Sequence, residues 1–454
     1  MAFERAVVIG ASVAGLLASA ALAERFGRVT IVERDELPTE PEPRRGVPQG
    51  AQVHALLAIG IRSMNELVPG FVDDLVAAGA EPIDQGNDIP IYNPTGWIAR
   101  GKSEAQVVAV RRPVLEHVLR SRVTALPNVE IIAGTATGLL ATDDKRRVTG
   151  VALKRSATDE LFADLVVDAS GRASRSTRWV EDLGYPQVGE RQLNIGIGYA
   201  TAVVNLPEDA LPDGVRGILG PPSPALPRGC AVMACGSGQY QLAALSMGGE
   251  EIPTEREAYL RYLESGPTPL VGQIARKAEF VTEPVNYKLA GTRRFLWEDL
   301  PRRPEAFIAV GDAVMGFNPI YGQGMSVAAA EALRLRRHLA GATSIDGLAE
   351  KVQTSFREVI DIVFGSVFPI DAAYPTAELV GLDPVDPAVL QAGQVLAEAA
   401  TDDLEVANAM RAVTHLFTQE PLADPAIQEK IQAWAAEGRT VRNNDPAVIP
   451  APLG

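Results

Sequence analysis

Six residues near the amino end, Gly10-Ala11-Ser12-Val13-Ala14-Gly15, have the types and spacing to hold a diphosphate. They follow the apolar run Ala6-Val7-Val8-Ile9 and open an alanine- and leucine-rich stretch from Leu16 to Arg25. A second run, Arg28-Val29-Thr30-Ile31-Val32, then ends in Glu33. Strand, tight turn, helix, strand, acid is the order of a dinucleotide site. The small residues Gly10, Ser12, Ala14 and Gly15 let the backbone approach a pyrophosphate, whose charge sits on the helix N-terminus. Glu33 is placed to accept hydrogen bonds from a ribose hydroxyl. Ser12 stands where the middle glycine is usual.

Other chemistries find little support. The four histidines, His54, His117, His338 and His415, are scattered without the spacing of a metal site. Cys230 and Cys235 fall in one strand–turn region and read as buried small side chains, not a disulfide framework.

The elements that must position the amino-terminal motif follow from periodicity. Helical spacing resumes at His54, Leu57, Ile61 and Met64 after a proline-rich loop, Arg34 to Pro48. Short strands are expected between residues 88 and 110, joined by Asn93-Pro94-Thr95-Gly96, then a helix from Arg112 to Leu126 stopped by Pro127. Val129–Ile132, Val148–Leu153 and Leu165–Asp168 read as strands. Leu193, Ile195, Ile197 and Tyr199 alternate, which predicts a strand with one buried face. The runs Ala231–Ala234 and Gln239–Met247 flank Gly236-Ser237-Gly238 as a hairpin. Phe307–Val310 is a short buried strand that runs into Gly311-Asp312, and a helix follows from Gly324. Beyond residue 345 the chain reads as helical, with Asp386-Pro387 and Asp424-Pro425 as helix starts and Gly438 as a stop. The proline- and asparagine-rich end reads as a loose tail.

The 454 residues include 22% charged and 46% hydrophobic ones, the make-up of a globular chain with large cores. A balance of 42 basic against 57 acidic residues, −15, argues against a nucleic-acid partner or an anionic membrane surface. No apolar run approaches the ~18 residues of a membrane span, and the amino end reads as a βαβ unit rather than a leader, so the cytoplasm is expected.

Two further stretches carry a resemblance. One is Leu165-Val166-Val167-Asp168-Ala169-Ser170-Gly171-Arg172-Ala173-Ser174. The other is Gly311-Asp312-Ala313, continuing through Asn318-Pro319-Ile320-Tyr321-Gly322-Gln323-Gly324-Met325-Ser326. The order GxSxxG, DxSGRxS, GDA…NPxxGQGM resembles the single-Rossmann flavoprotein monooxygenases, the p-hydroxybenzoate hydroxylase-like group. Glu33-Arg34-Asp35, Pro43-Arg44-Arg45-Gly46-Val47-Pro48-Gln49, His54 and Leu67-Val68-Pro69-Gly70 are similar to the actinobacterial branch that includes polyether-antibiotic flavin epoxidases. The likeness covers residues 1 to about 345.

The resemblance implies an α/β fold with three parts. These are a GR2-type FAD-binding Rossmann-like domain (1–85, 105–190 and 286–345), an antiparallel-sheet substrate domain (86–104 and 191–285) and a C-terminal helical region (346–454). It implies that Gly10, Ser12, Ala14 and Gly15 approach the FAD pyrophosphate and that Glu33 holds the ribose. Arg112 would lie near the phosphates and ribityl chain, and Gly311 and Asp312 against the ribityl hydroxyls. Pro319, Gly322, Gln323, Gly324 and Met325 would flank the isoalloxazine ring. Asp168, Gly171 and Arg172 would shape the fold beneath the cofactor. Arg34 and Arg45 are candidate cofactor contacts; for the pair Arg44–Arg45, phosphate contact and a solvated loop are both open. No metal is implied. Val314, followed by Met315, stands two residues after Asp312, where many hydroxylases of the family have histidine, and Glu331 stands where aspartate is usual.

By this resemblance, O2 and reduced FAD form a flavin hydroperoxide that passes one oxygen atom to a small hydrophobic substrate. No second strand–GxGxxG–helix unit exists for NADPH or NADH. Either the nicotinamide docks transiently or a separate flavin reductase supplies electrons. The nearly uncharged stretches 193–203 and 231–247 offer no base. They fit epoxidation of an alkene or polyene in secondary metabolism, or hydroxylation of an apolar aromatic ring. A prenyl-chain reductase and a non-enzymatic flavin carrier are further alternatives. A halogenase is disfavoured because Trp97, Trp179, Trp297 and Trp434 are isolated.

Overall fold

The computed structural model describes residues 3–453. Strand β1 (Phe3–Ile9), helix α1 (Val13–Ala23) and β2 (Phe26–Glu33) form the first unit. Almost every residue of α1 is buried, which its Ala/Leu composition permits because short side chains let neighbouring elements close in. Helix α2 (Ala58–Leu67) starts four residues later than the spacing at His54 predicts. A three-residue strand, Ala55–Leu57, intervenes, so His54 sits in the loop before it and not on a helical stripe.

Helix α3 (Arg112–Thr124), β3 (Val129–Ala133) and β4 (Leu165–Asp168) complete the expected series. Between β3 and β4, strands Thr135–Ala141, Val148–Lys154 and Glu160–Phe162 make a small three-stranded sheet. Only the middle strand was legible in the pattern, since the outer two bury neither face consistently.

The antiparallel sheet is built on β5 (Glu190–Asn205), with β6 (Gly217–Gly220), β7 (Arg228–Ala234), β8 (Tyr240–Ser246) and β9 (Val285–Phe295). Its order is β6-β7-β8-β5-β9, followed by the two-residue β11 (Met315–Gly316). The division by residue number placed 286–345 with the nucleotide unit. Instead β9 pairs along β5, from Glu190↔Phe295 to Thr201↔Val285, and most of its second half, Gly291 to Phe295, is buried. The chain then returns to the first sheet at β10 (Phe307–Ala309), giving the parallel order β10-β4-β1-β2-β3.

Helix α4 (Gly324–Ala340) packs on α1 and α2, and α5 (Leu348–Ala372) on α4. The region beyond contains one more strand, β12 (Glu378–Val380), paired with the Gln192–Asn194 stretch of β5. Helices α6 (Pro387–Ala399), α7 (Leu404–Leu416) and α8 (Pro425–Glu437) follow. Asp386 and Asp424 cap α6 and α8, and Gly438 ends α8 in the left-handed conformation, as the sequence predicts.

The terminal stretch is not a loose tail. Trp97 donates its backbone N–H to the Asn443 carbonyl and its indole N–H to the Asp445 carbonyl, both at 2.8 Å. Arg100 donates to the Pro450 carbonyl and Thr268 to the Pro446 carbonyl. Proline removes donors but leaves carbonyls, and here those carbonyls are used. Among the described residues no helix is long and apolar enough to cross a membrane.

Candidate functional site: a cleft at the carboxyl ends of the parallel strands

The register Ile9↔Asp168↔Ala309 aligns the carboxyl ends of β1, β4 and β10. Ligands of open α/β sheets bind at such ends. Gly10 has φ +103°, and a Cβ there would lie 2.7 Å from the Ala169 carbonyl oxygen. A Cβ on Gly15 would overlap the Gly10 carbonyl, so both positions exclude larger residues. Ser12 precedes α1 but does not cap it. Its hydroxyl donates to Glu116 (2.9 Å) and accepts from Arg112 (3.0 Å). The first turn of α1 thus has no side-chain cap, and Val13 and Ala14 border a cavity there. That end of a helix favours negative charge.

Behind this turn lies a buried ionic cluster. Glu33 accepts from the Ala11 amide (2.8 Å) and the Asp35 amide (2.9 Å). Arg44 reaches Glu33 at 3.4 Å, Asp35 at 3.0 Å and Glu116 at 2.7 Å. Burial opposes the Arg44 charge, but Glu116, Glu33 and Asp35 outweigh it and raise its pKa. Burial likewise disfavours the Glu116 carboxylate, which Arg112 and Arg44 nevertheless hold below its usual range. The cluster separates the two arginines of the loop: Arg44 is committed to carboxylates, whereas Arg45, like Arg34, borders the cavity with no ion-pair partner among the described residues. Glu33 is buried in the cluster and does not line the cavity, although a carboxylate retains lone pairs beyond the two in use.

Asp168, a predicted contact, is fully buried and also lies off the cavity. It accepts from the Ser170 amide (2.9 Å) and the Ser174 hydroxyl (2.5 Å), which shapes the turn whose residues Ala169 to Ala173 do line the cavity. Arg172 donates to the carbonyls of Gly291 and Phe317 and stands 3.6 Å from Asp312, tying the two sheets together at the site.

Gly311 has φ +62°, and a Cβ on it would sit 2.7 Å from that of Ala14. Asp312 borders the cavity. Asn318, fully buried, accepts from the Ile320 amide (3.1 Å) and so starts the turn Pro319–Tyr321, which Gly322 ends at φ +68°. Pro319, Gly322, Gly324, Met325 and Arg112 line the cavity. Gln323 does not: its carboxamide is buried without a hydrogen-bond partner.

One residue of the site escaped sequence reasoning. Asp371, near the end of α5, is buried and accepts from Asn318 (3.0 Å) and the Tyr321 hydroxyl (2.6 Å). Burial pushes its carboxyl up to about 6, against the opposing effect of those two donors. The signal was an acid within Val367-Phe368-Pro369-Ile370-Asp371, an apolar run with no base beside it.

The cavity is continuous, with a volume of about 1910 Å³. Single-ligand pockets hold roughly 300–1,000 Å³, so there is room for a cofactor and a second molecule. The Gly311–Met325 loop, Tyr199 and Leu245 of the antiparallel sheet, Met247 just beyond it, and residues of α5 to α8 all line the cavity.

The model of the FAD binding domain family matches residues 4–353. The chain belongs to this family. It is 29% identical over 465 residues to Protein Rv3254 of Mycobacterium tuberculosis, covering 97% of this chain and 96% of that one. It is 26% identical over 354 residues to squalene monooxygenase 1,1 of Brassica napus, covering 73% of this chain and 62% of that protein. Among solved structures, the flavin-dependent brominase Bmp2 superposes with a TM-score of 0.65 at 14% identity, covering 95% and 99% of the two chains. PqsL of Pseudomonas aeruginosa, a probable FAD-dependent monooxygenase, gives 0.59 at 16% identity, covering 90% and 99%. At these identities the superpositions show a shared fold. The residues present fit FAD: an uncapped helix start, two arginines without an ion-pair partner among the described residues, and Gly311, which has no room for a Cβ, border one cavity, with Gly10 and Gly15 packed behind it.

Proposed function

We propose that this family member is an FAD-dependent monooxygenase that adds one atom of O2 to an apolar substrate, an alkene or polyene converted to its epoxide in secondary metabolism. NADPH or NADH supplies electrons, directly or through a separate reductase. Bound FAD supplies the redox and oxygen-transfer chemistry. The chain would hold its diphosphate at the α1 start with Arg34 and Arg45 and its ribityl chain at Asp312. Amides at the start of α4 would steady negative charge at the ring. Tyr199, Leu245 and Met247 would exclude water and orient the substrate.

The observation that carries this reading is the continuity of the cavity from the Gly311–Met325 loop into a largely apolar wall. An alkene needs no base, because its π bond is the nucleophile. The similarity to a squalene monooxygenase supports the same class. A second reading, hydroxylation of a phenol, draws on Asp371 and Tyr321, since deprotonating the ring oxygen favours that reaction.

The test is turnover of the FAD-loaded protein with NADPH, a flavin reductase and 18O-labelled O2, offered squalene, long-chain alkenes and naphthols. One labelled oxygen in an epoxide is the expected result. Label in a naphthol product selects the second reading. Turnover that proceeds without oxygen overturns both and leaves a reductase.

A further inference from the structure

The α7 wall of the cavity carries a positive charge that forms no ion pair with a carboxylate among the described residues. Arg411, on α7, is 5% exposed and lines the cavity. It donates to the Ala99 carbonyl (2.7 Å) and to Asn408 (2.9 Å), both neutral, and its Nε has no partner. His415 lies one turn further along the same helix face, is 3% exposed and also lines the cavity, with Nδ1 unpartnered.

Other buried arginines of this fold have their charge met differently, although the Nε of Arg112 and of Arg294 is likewise without a partner. Arg44 and Arg112 have Glu116, and Arg294 has Glu298. Arg100, which faces only carbonyls, uses Nε and both terminal nitrogens and stays off the cavity. Asp84 acts on Arg411 through space, but its oxygens accept from Gly86, the Ser103 amide and the Ser103 hydroxyl. Burying an ion without a partner is unfavourable, and a bound anion would offset that cost.

We infer that Arg411 and His415 form a recognition site for a carboxylate at the end of the substrate remote from the Gly311–Met325 loop. A guanidinium edge and an imidazole on one helix face match the two oxygens of a carboxylate. One buried cation balances one negative charge, which favours a carboxylate over a phosphate dianion. Burial and the neighbouring Arg411 push His415 down to about 3, so it is neutral at pH 7 and offers a hydrogen bond without a second charge. The walls around the pair include Ile98, Leu396, Met410 and Ile431, which suit an apolar chain leading to that end. The substrate class is therefore an unsaturated apolar acid. This rests on the reading of the cavity as a substrate site.

The experiment is calorimetric titration of the FAD-loaded protein with dodecanoate and with methyl dodecanoate, at a pH near 7. Dodecanoate is expected to bind at least tenfold more tightly than the ester. Arg411→Met, which keeps length and apolar stem, is expected to abolish that preference, and Arg411→Lys to retain part of it. Equal binding of acid and ester to the unaltered protein, or no binding of either, overturns the inference without needing a variant. The monooxygenase reading has its own readout, incorporated label, and either result can fail while the other stands.

Discussion

At the scale of single residues, the site is governed by acids held where acids are costly. Glu331 of α4 is fully buried; its Oε2 accepts from the Gly311 amide at 2.6 Å, and its Oε1 has no partner. Burial pushes this carboxyl from an ordinary 4.5 up to about 8, with the Gly311 amide opposing and Asp312 reinforcing the shift. The folded state therefore keeps a proton that the unfolded chain releases. Its contribution to stability is full below about pH 4.5 and is lost as pH rises through about 8. In between the slope is about −1.4 kcal/mol per pH unit. Glu331→Gln copies the neutral acid and still offers an oxygen to Gly311. Denaturant unfolding between pH 5 and 7.5 should show stability near the parent value at pH 5 and the slope from this group gone. A variant that kept the slope would locate the proton elsewhere.

At the scale of elements, legibility in the sequence followed burial symmetry. The strands β1, β2 and β4 were readable because the stretches Ala6–Ile9, Val29–Val32 and Leu165–Val167 are buried on both faces and almost wholly apolar. The helix starts at Asp386 and Asp424 were readable from local chemistry alone. The Thr135–Ala141 and Glu160–Phe162 strands were not, because partial exposure removes the pattern. Nor was the ionic cluster around Arg44, whose partners Glu33 and Glu116 are separated by more than eighty residues of chain and meet only through the fold. The terminal stretch misled for a related reason: proline and asparagine content marks the absence of helix and strand, not the absence of partners. Residues 443–453 accept from Trp97, Arg100 and Thr268, and Val441 and Asn444 line the cavity. Removing residues 440–454 should leave these donors unpaired and destabilise the protein by about 2–6 kcal/mol, at roughly 0.5–1.5 kcal/mol for each of the four bonds lost. Urea unfolding of the shortened chain measures this directly. An unchanged midpoint would mean that the contacts hold the tail without the body needing it.

At the scale of the whole molecule, the cleft is assembled from parts that are remote in sequence. Ser12 to Ala14, Arg45, Arg112, the turn at Ala169–Ala173 and Gly311–Asp312 come from the parallel-sheet half, Tyr199 and Tyr287 come from the antiparallel sheet, and the rest of the Gly311–Met325 loop, which contains β11, joins the two. Arg172 bonds across both, through Gly291 and Phe317. A ligand that needs all of these in place binds the folded chain and not its unfolded form. By mass action, free FAD at a hundred times its Kd should add about 2.7 kcal/mol to the free energy of unfolding. Because the two sheets share the site, that gain should fall on one cooperative transition with an unaltered denaturant slope. Unfolding followed in parallel by tryptophan fluorescence and far-ultraviolet circular dichroism, with and without FAD, distinguishes the cases. Trp297 and Trp179 report on the core around the parallel sheet, and Trp97 on the antiparallel side. Coincident curves that move together on adding FAD are expected. Two transitions, of which only one responds to FAD, would mean that the cofactor is held by the parallel-sheet half alone, and that the bonds of Arg172 do not couple the sheets.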